Sequence, residues 1–293
     1  IPVRLNVPLV FYNATLFRKY NLSEPQTWSD LYVTAQKIYN ETGVLPIDFQ
    51  GHGGASTPTE LFQWMTQAGG NPLLFNDSGD VYAFEYLYNL SKYFSPRYTS
   101  GYWGSYKGLV SGVYYILDYQ WPYIWGVMQS ENVTMSNLGV YPGPKGPANA
   151  AHLAGGDVLV IPKGNVNLTA VEALAAYLLS SNAQHGMLIN LQWPVVNSLA
   201  YQNLPSNMSV IFGAISDAIN EGLVFRPPVP WINEWNTLMD QAWTQIIVNH
   251  ASYSSIPSIL SYYNQQLYNY LKTSVSPQVA QEYESGYYGP LVG

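Results

Sequence analysis

The residues able to do chemistry are few in this chain, and their spacing offers little of it. Four histidines, His52, His152, His185 and His250, form neither an HExxH pattern nor an i, i+4 pair, so they present no zinc set. Cysteine is absent, which removes disulfides, thiolate metal sites and thiol nucleophiles together. No GxSxG elbow occurs. GHGG at 51–54 has no Lys-Ser/Thr behind it and reads as a loop rather than a phosphate cradle, and GPKGP at 143–147 reads as a turn. Glu41 with Asp48, and Asp77 with Asp80, flank predicted turns, where carboxylates serve as caps or solvated loop residues. The separation that a glycosidase needs, about 5–10 Å, belongs to the fold and not to the sequence, so that reading stays open as the third choice. The expectation is a protein with no metal, no cofactor and no enzymatic activity.

What remains is aromatic rings beside neutral polar groups. The chain holds 26 tyrosines and 9 tryptophans among its 293 residues, and only 10% of it is charged, against roughly 25% in an average protein. Ring faces stack on the C–H faces of sugars, while amides, carboxylates and backbone groups bond the hydroxyls. QWPYIW (120–125) and PVPWINEW (228–235) offer such rings, although a lone tryptophan more often packs a core. A net charge of -7 without any basic cluster argues against a nucleic-acid partner. No apolar run approaches the ~18 residues needed to span a bilayer. Eight Asn-x-Ser/Thr sequons, at Asn13, Asn21, Asn40, Asn76, Asn89, Asn132, Asn167 and Asn207, point to an extracellular, glycosylated surface.

The elements that must position these groups alternate irregularly between strand and helix, with helix in excess, which argues for an α/β protein. Residues 1–13 read as a strand. In PQTWSDL (25–31), Thr27 is a helix N-cap with Asp30 in a near capping box, and Gly43 ends that helix. Thr57, Pro58 and Glu60 predict a second capped start for a helix running to Gly69-Gly70, and a third helix follows Ser78. GVYYILDY (112–119) predicts a strand feeding a helix opened by Pro122. DVLVIPKG (157–164) predicts a buried strand, and LTAVEALAAYLLS (168–180) an amphipathic helix. Helices are expected near 206–221, 231–249 and 255–272, with a loosely held tail from Ser276.

The order FYNATLFRKYNLSEPQTWSDLYVTAQKIYNETGVLPI resembles the extracellular solute-binding proteins of ABC importers, in their maltose-binding-type, carbohydrate-oriented group. TPTELFQWMTQAGGN, SGVYYILDYQWPYIW, NLGVYPGPKGP, LAGGDVLVIPKG, AVEALAAYLLSSNAQHGMLINLQWPVVNS and RPPVPWINEWNTLMDQAWTQI follow in the family's order. The resemblance implies a two-lobed, periplasmic-binding-protein-like (type II) α/β fold that clamps its ligand between lobes. Residues 1–6 would be a hinge crossover strand, 7–151 the first part of the C-lobe, and 152–156 a second hinge. Residues 157–196 would return to the N-lobe, 197–275 would complete the C-lobe, and 276–293 would be tail. The first part of the N-lobe has no counterpart in this chain, so its strands are expected from another chain or fragment, or from a neighbouring subunit.

Carried over position by position, Trp121 matches the family's sugar-stacking tryptophan, with Trp125 beside it. Arg4 and Asn6 sit where the crossover strand contributes polar contacts, although an acid often stands at the Asn6 place in related sugar binders. Gly155 and Gly156 match paired glycines that let the backbone approach ligand, and Asp157 stands where tryptophan is frequent. Arg226 matches the arginine of the RP turn, and His52 lies in a C-lobe loop. Trp193 and Trp231 fit a packing role equally well. The implied partners are a sugar ligand and the membrane subunits of an ABC importer at the cell surface. The rival reading is a secreted structural subunit that assembles through its incomplete lobe.

Overall fold

The computed structural model describes residues 1–101, 104–164 and 167–292. The chain opens with β1 (Pro2–Asn6) and β2 (Leu9–Asn13), and Asn13 caps α1 (Ala14–Lys19) by accepting from the Leu16 amide. PQTWSDL does what its residue types predict: Thr27 Oγ1 accepts from the Asp30 amide and the Asp30 carboxylate accepts from the Thr27 amide, a complete capping box. The resulting α2 (Trp28–Thr42) ends at Gly43, whose φ of +72° needs the missing Cβ.

Next come β3 (Ile47–Asp48), α3 (Ser56–Gln67), α4 (Ser78–Leu90), α5 (Tyr106–Ser111), β4 (Ile116–Gln120), α6 (Tyr123–Ser130) and β5 (Leu138–Tyr141). They form a four-stranded mixed sheet of order β3-β4-β2-β5, in which β2 is antiparallel to both neighbours and β3 runs parallel to β4. Successive side chains of its central strands enter opposite layers, as the two-residue period of a strand requires. Val10 and Ile116 face the larger core with α2, α3 and α4, while Leu9, Phe11 and Leu117 face a smaller one with α5 and α6. Each such side chain contributes about 1.5–3 kcal/mol on burial.

The remaining elements are β6 (His152–Leu153), β7 (Gly155–Val158), α7 (Leu168–Leu179), α8 (Ser181–Leu191), α9 (Ser209–Glu221), β8 (Leu223–Phe225), α10 (Ile232–Trp243), α11 (Ile256–Tyr270), α12 (Pro277–Glu284) and β9 (Leu291–Val292). Trp235 and Trp243 of α10, with Leu260 and Leu267 of α11, fill the larger core. Ile211 and Ile215 of α9 fill the smaller one. Two expectations fail here. The tail is not loose: Ala280 and Tyr283 of α12 are buried in the core, and β9 pairs with β8. DVLVIPKG is not a buried strand either, since only its first residues join β7 and Val160 is 78% exposed.

β1 and β7 form a separate antiparallel ribbon in which Leu5 faces Gly156 and Asn6 faces Gly155. On its other side the Leu5 amide donates to the Pro194 carbonyl at 3.2 Å. The chain therefore passes this ribbon three times, once on the way into the lobe and again at both ends of the 157–193 excursion. α7, on that excursion, has no buried residue, although its sequence is strongly apolar.

Candidate functional site

β4 ends in an unusual turn that aims one ring. Tyr119 holds a φ of +39°, a conformation a bulky residue adopts only when its surroundings enforce it. Its carbonyl accepts from Gln50 Nε2, and the Gln120 side chain accepts from the Trp121 amide at 2.8 Å. Pro122 then caps α6, so Trp121 projects from the junction of strand and helix. Its ring lies on the β1–β7 ribbon: a Cβ added to Gly155 would meet the indole at 3.3 Å. At Gly156 a Cβ would lie 2.2 Å from the Arg4 carbonyl, so only glycine lets the two strands approach there.

The first turns of α3 supply the polar wall. Trp121, Thr59, Glu60, Gln63, Gln50 and Leu153 line a crevice of about 10 Å³, room for about one water molecule. Arg226 donates from Nη1 to Thr59 Oγ1 at 2.9 Å, and burial pulls its pKa down from the usual value. Gln63 accepts from the Leu153 amide at 2.7 Å, and its NH₂ lies beside the Tyr119 hydroxyl. These groups make one wall of a site, with a ring, amides and a guanidinium, and not an enclosed pocket.

Beneath the wall lie two fully buried carboxyls. Glu60 accepts a long bond from Trp64 Nε1 at 3.4 Å, meets the Gln50 backbone amide, and faces Asp118. Both Asp118 oxygens and Glu60 Oε2 find no donor elsewhere among the described residues. Two acceptors facing each other are satisfied only if one carries a proton, and burial pushes both pKa values up. The pair therefore holds one proton between its two carboxyls. Carboxyls in direct hydrogen bond lack the about 5–10 Å spacing that flanks a glycosidic bond.

The expected site residues divide as follows. Trp121, Gly155, Gly156 and Asn6 gather at the ribbon, with Asn6 9% exposed opposite Gly155. Arg4 pairs with the exposed Asp157 at 2.5 Å and stacks over Trp193 at 4.6 Å, so guanidinium and carboxylate engage each other. Arg226 reaches the wall through Thr59. His52 does not join them: it is exposed, its Nδ1 lies 2.9 Å from the Thr99 carbonyl, and it lines a neighbouring crevice with Asp48 and Arg97. Trp125 is a correction, because it is buried against Phe11 at 6.3 Å and offers no free ring face. Trp231 is likewise buried, edge-on to Tyr283 and Tyr288.

Asn13 corrects the sequon set. It is buried, and its amide donates to the Leu109 carbonyl at 2.9 Å, so no glycan can attach there, whereas the other seven acceptor asparagines are exposed.

Sequence reasoning missed Glu60, Asp118, Gln63 and Gln50. Glu60 fits a helix cap in sequence, but α3 starts at Ser56, which turns Glu60 inward. Asp118 carried a signal: a lone charge inside the apolar run YYILDY.

The family described as bacterial extracellular solute-binding protein matches residues 1–185. Maltose-bound MalE3 of T. maritima is similar in structure, with a TM-score of 0.76 and 20% identity over 91% of this chain and 72% of that one. The acarbose-binding GacH receptor of Streptomyces glaucescens gives 0.74 and 20% over 93% and 71%. The sugar-binding protein MalE from Xanthomonas citri gives 0.72 and 17% over 92% and 72%. At these identities the likeness is one of fold, the two-lobed type II solute-binding fold.

Proposed function

Because the chain belongs to the bacterial extracellular solute-binding protein family, we propose that it captures a sugar or oligosaccharide outside the cell and delivers it to an ABC importer. The observation that carries this reading is Trp121. Its ring is held by the strained end of β4 against a glycine ribbon and beside the amides of Gln50 and Gln63. That is the pairing of ring face and neutral polar groups that a sugar requires. The names of the similar structures, which bind maltose and acarbose, support the same ligand class. Arg4, Asn6, Asp157 and Arg226 surround that ring as further polar contacts, Gly155 and Gly156 give the ligand access to backbone, and His52 stands at the periphery.

The crevice is too small to hold a hexose, so the ligand rests on this wall and is covered from the far side. We assign that cover to the rest of the second lobe, built on residues 157–191 with additional polypeptide. The exposed apolar side chains Val158, Val160, Leu168, Leu174 and Tyr177 support this, because a free surface of that kind is unusual. The protein acts at the cell surface, and lobe closure presents the loaded form to the membrane subunits.

Isothermal titration with malto-oligosaccharides tests the reading. Trp121→Ala is expected to weaken binding by about 1–3 kcal/mol, roughly five- to 150-fold, through loss of one ring contact. Unchanged affinity in a folded Trp121→Ala protein would refute the assignment.

A further inference from the structure

A second aromatic surface lies away from Trp121, on the outer side of the same lobe. An open groove of about 500 Å³ runs between α2, α4 and the loop before α11, a volume within the usual range for small-molecule sites. Its floor is Trp28, whose indole stacks on Tyr86 at 4.7 Å and lies parallel to Tyr82 within 4°. Tyr82 is 49% exposed and Tyr253, on the opposite rim, 44% exposed, so two ring faces look into solvent. Between them stand Glu85 and Asn89, both within hydrogen-bond reach of the Tyr253 hydroxyl.

The polar chemistry selects the ligand class. Two ring-borne donors are turned inward: Trp28 Nε1 bonds Gln67 at 3.1 Å, and the Tyr86 hydroxyl bonds the Trp28 carbonyl at 2.5 Å. Lys145, at one end, is engaged by Glu221 at 3.3 Å. The Tyr253 hydroxyl donates to the Glu85 carboxylate, which keeps further acceptor capacity, and the Tyr82 and Tyr32 hydroxyls line the same groove. Ring faces set among a carboxylate and hydroxyls that both donate and accept suit a ligand rich in hydroxyls and C–H faces. The single carboxylate disfavours an anionic one.

We propose that this groove is a second carbohydrate site, taking a free neutral oligosaccharide with Tyr82 and Tyr253 as stacking platforms and Glu85 as the hydroxyl acceptor. It is independent of the Trp121 site, and the same protein would hold sugar on its outer face while the cleft loads or empties. Because Asn89 begins a sequon on the rim, the test uses protein made in a host without N-glycosylation, with Ser91→Ala as a check.

Maltotetraose and cellotetraose are titrated into Trp121→Ala protein, followed by amide chemical shifts and indole fluorescence. Saturable shifts centred on α2 and α4 are expected with at least one sugar. Tyr82→Ala with Tyr253→Ala should weaken them about tenfold or more. Wild-type protein, titrated in parallel, should show two binding events, of which the double tyrosine change removes one; this arm stands if Trp121→Ala fails to fold. Three results overturn the proposal: no saturation with either sugar at its solubility limit, binding untouched by the tyrosine changes, or saturation of the groove by a proline-rich decapeptide alone.

Discussion

At the scale of single residues, the buried acids dominate. Burial raises Asp48 from 3.8 to about 6, against the opposing pull of Tyr114 and Arg97, and Glu60, Asp118 and Asp80 are raised as well. A carboxyl whose folded pKa exceeds its unfolded value binds its proton more tightly in the fold. Its contribution is fully present below the unfolded pKa and is lost as pH climbs through the folded one. Calorimetry should therefore show the melting temperature highest near pH 4 and falling as pH rises through 6 and beyond; a maximum at pH 7 or above would contradict this. Glu60→Gln keeps a donor for Asp118 without a titrating proton. It should flatten that fall, leaving a folded protein whose stability changes less between pH 5 and 8. Little of this was legible in the sequence. A glutamate three residues into a helix looks like a cap, and only the fold reveals that Asp118 stands opposite it. The place of Trp121 between a strand and a proline-opened helix was legible, whereas its role toward a ligand came from the family resemblance alone.

At the scale of elements, α2 is the case where local chemistry suffices. Thr27, Asp30 and Gly43 define both ends locally, and Trp28 anchors the first turn by packing at a tilt against Trp64, 4.9 Å between ring centres. Thr27→Ala should lower stability by about 1 kcal/mol, read as a lower urea midpoint with an unchanged slope. α3 is the contrary case. Its cap lies two residues ahead of the predicted Thr57, at Ala55, and Thr57 Oγ1 is committed to the Gln50 carbonyl at 2.7 Å. The tail also escaped reading, since its Tyr/Gly/Pro composition suggests disorder. Yet Ser276 caps α12 and Tyr283 finds a buried seat beside Trp231. The cap is local, but the contact of Tyr283 with Trp231 is not.

At the scale of the whole molecule, the apolar excursion is the open end of the structure. The chain spans 70–73% of most of the similar solved structures, and Tyr177 stands 63% exposed on a helix without a single buried residue. Native protein isolated from its source should carry more polypeptide, continuous or co-purifying, and this chain alone should bind a hydrophobic dye that the native form does not. A dye-silent, monomeric chain of this mass would count against a missing cover, and ordered polymers would show copies of the chain covering one another. The helical periodicity of α7 was legible, but the apolar run before it misled, since Val158, Val160 and Ile161 are exposed. The threefold passage at β1 then acquires a mechanical meaning. Leu5 is tied on one side to Gly156 and on the other to Pro194, so both ends of the excursion are held at the same five-residue strand. Leu188, buried in the smaller core, and the Gln192–Gln129 bond brace the returning end of the excursion, so the crossings at β1 act as an anchorage beside the Trp121 ring.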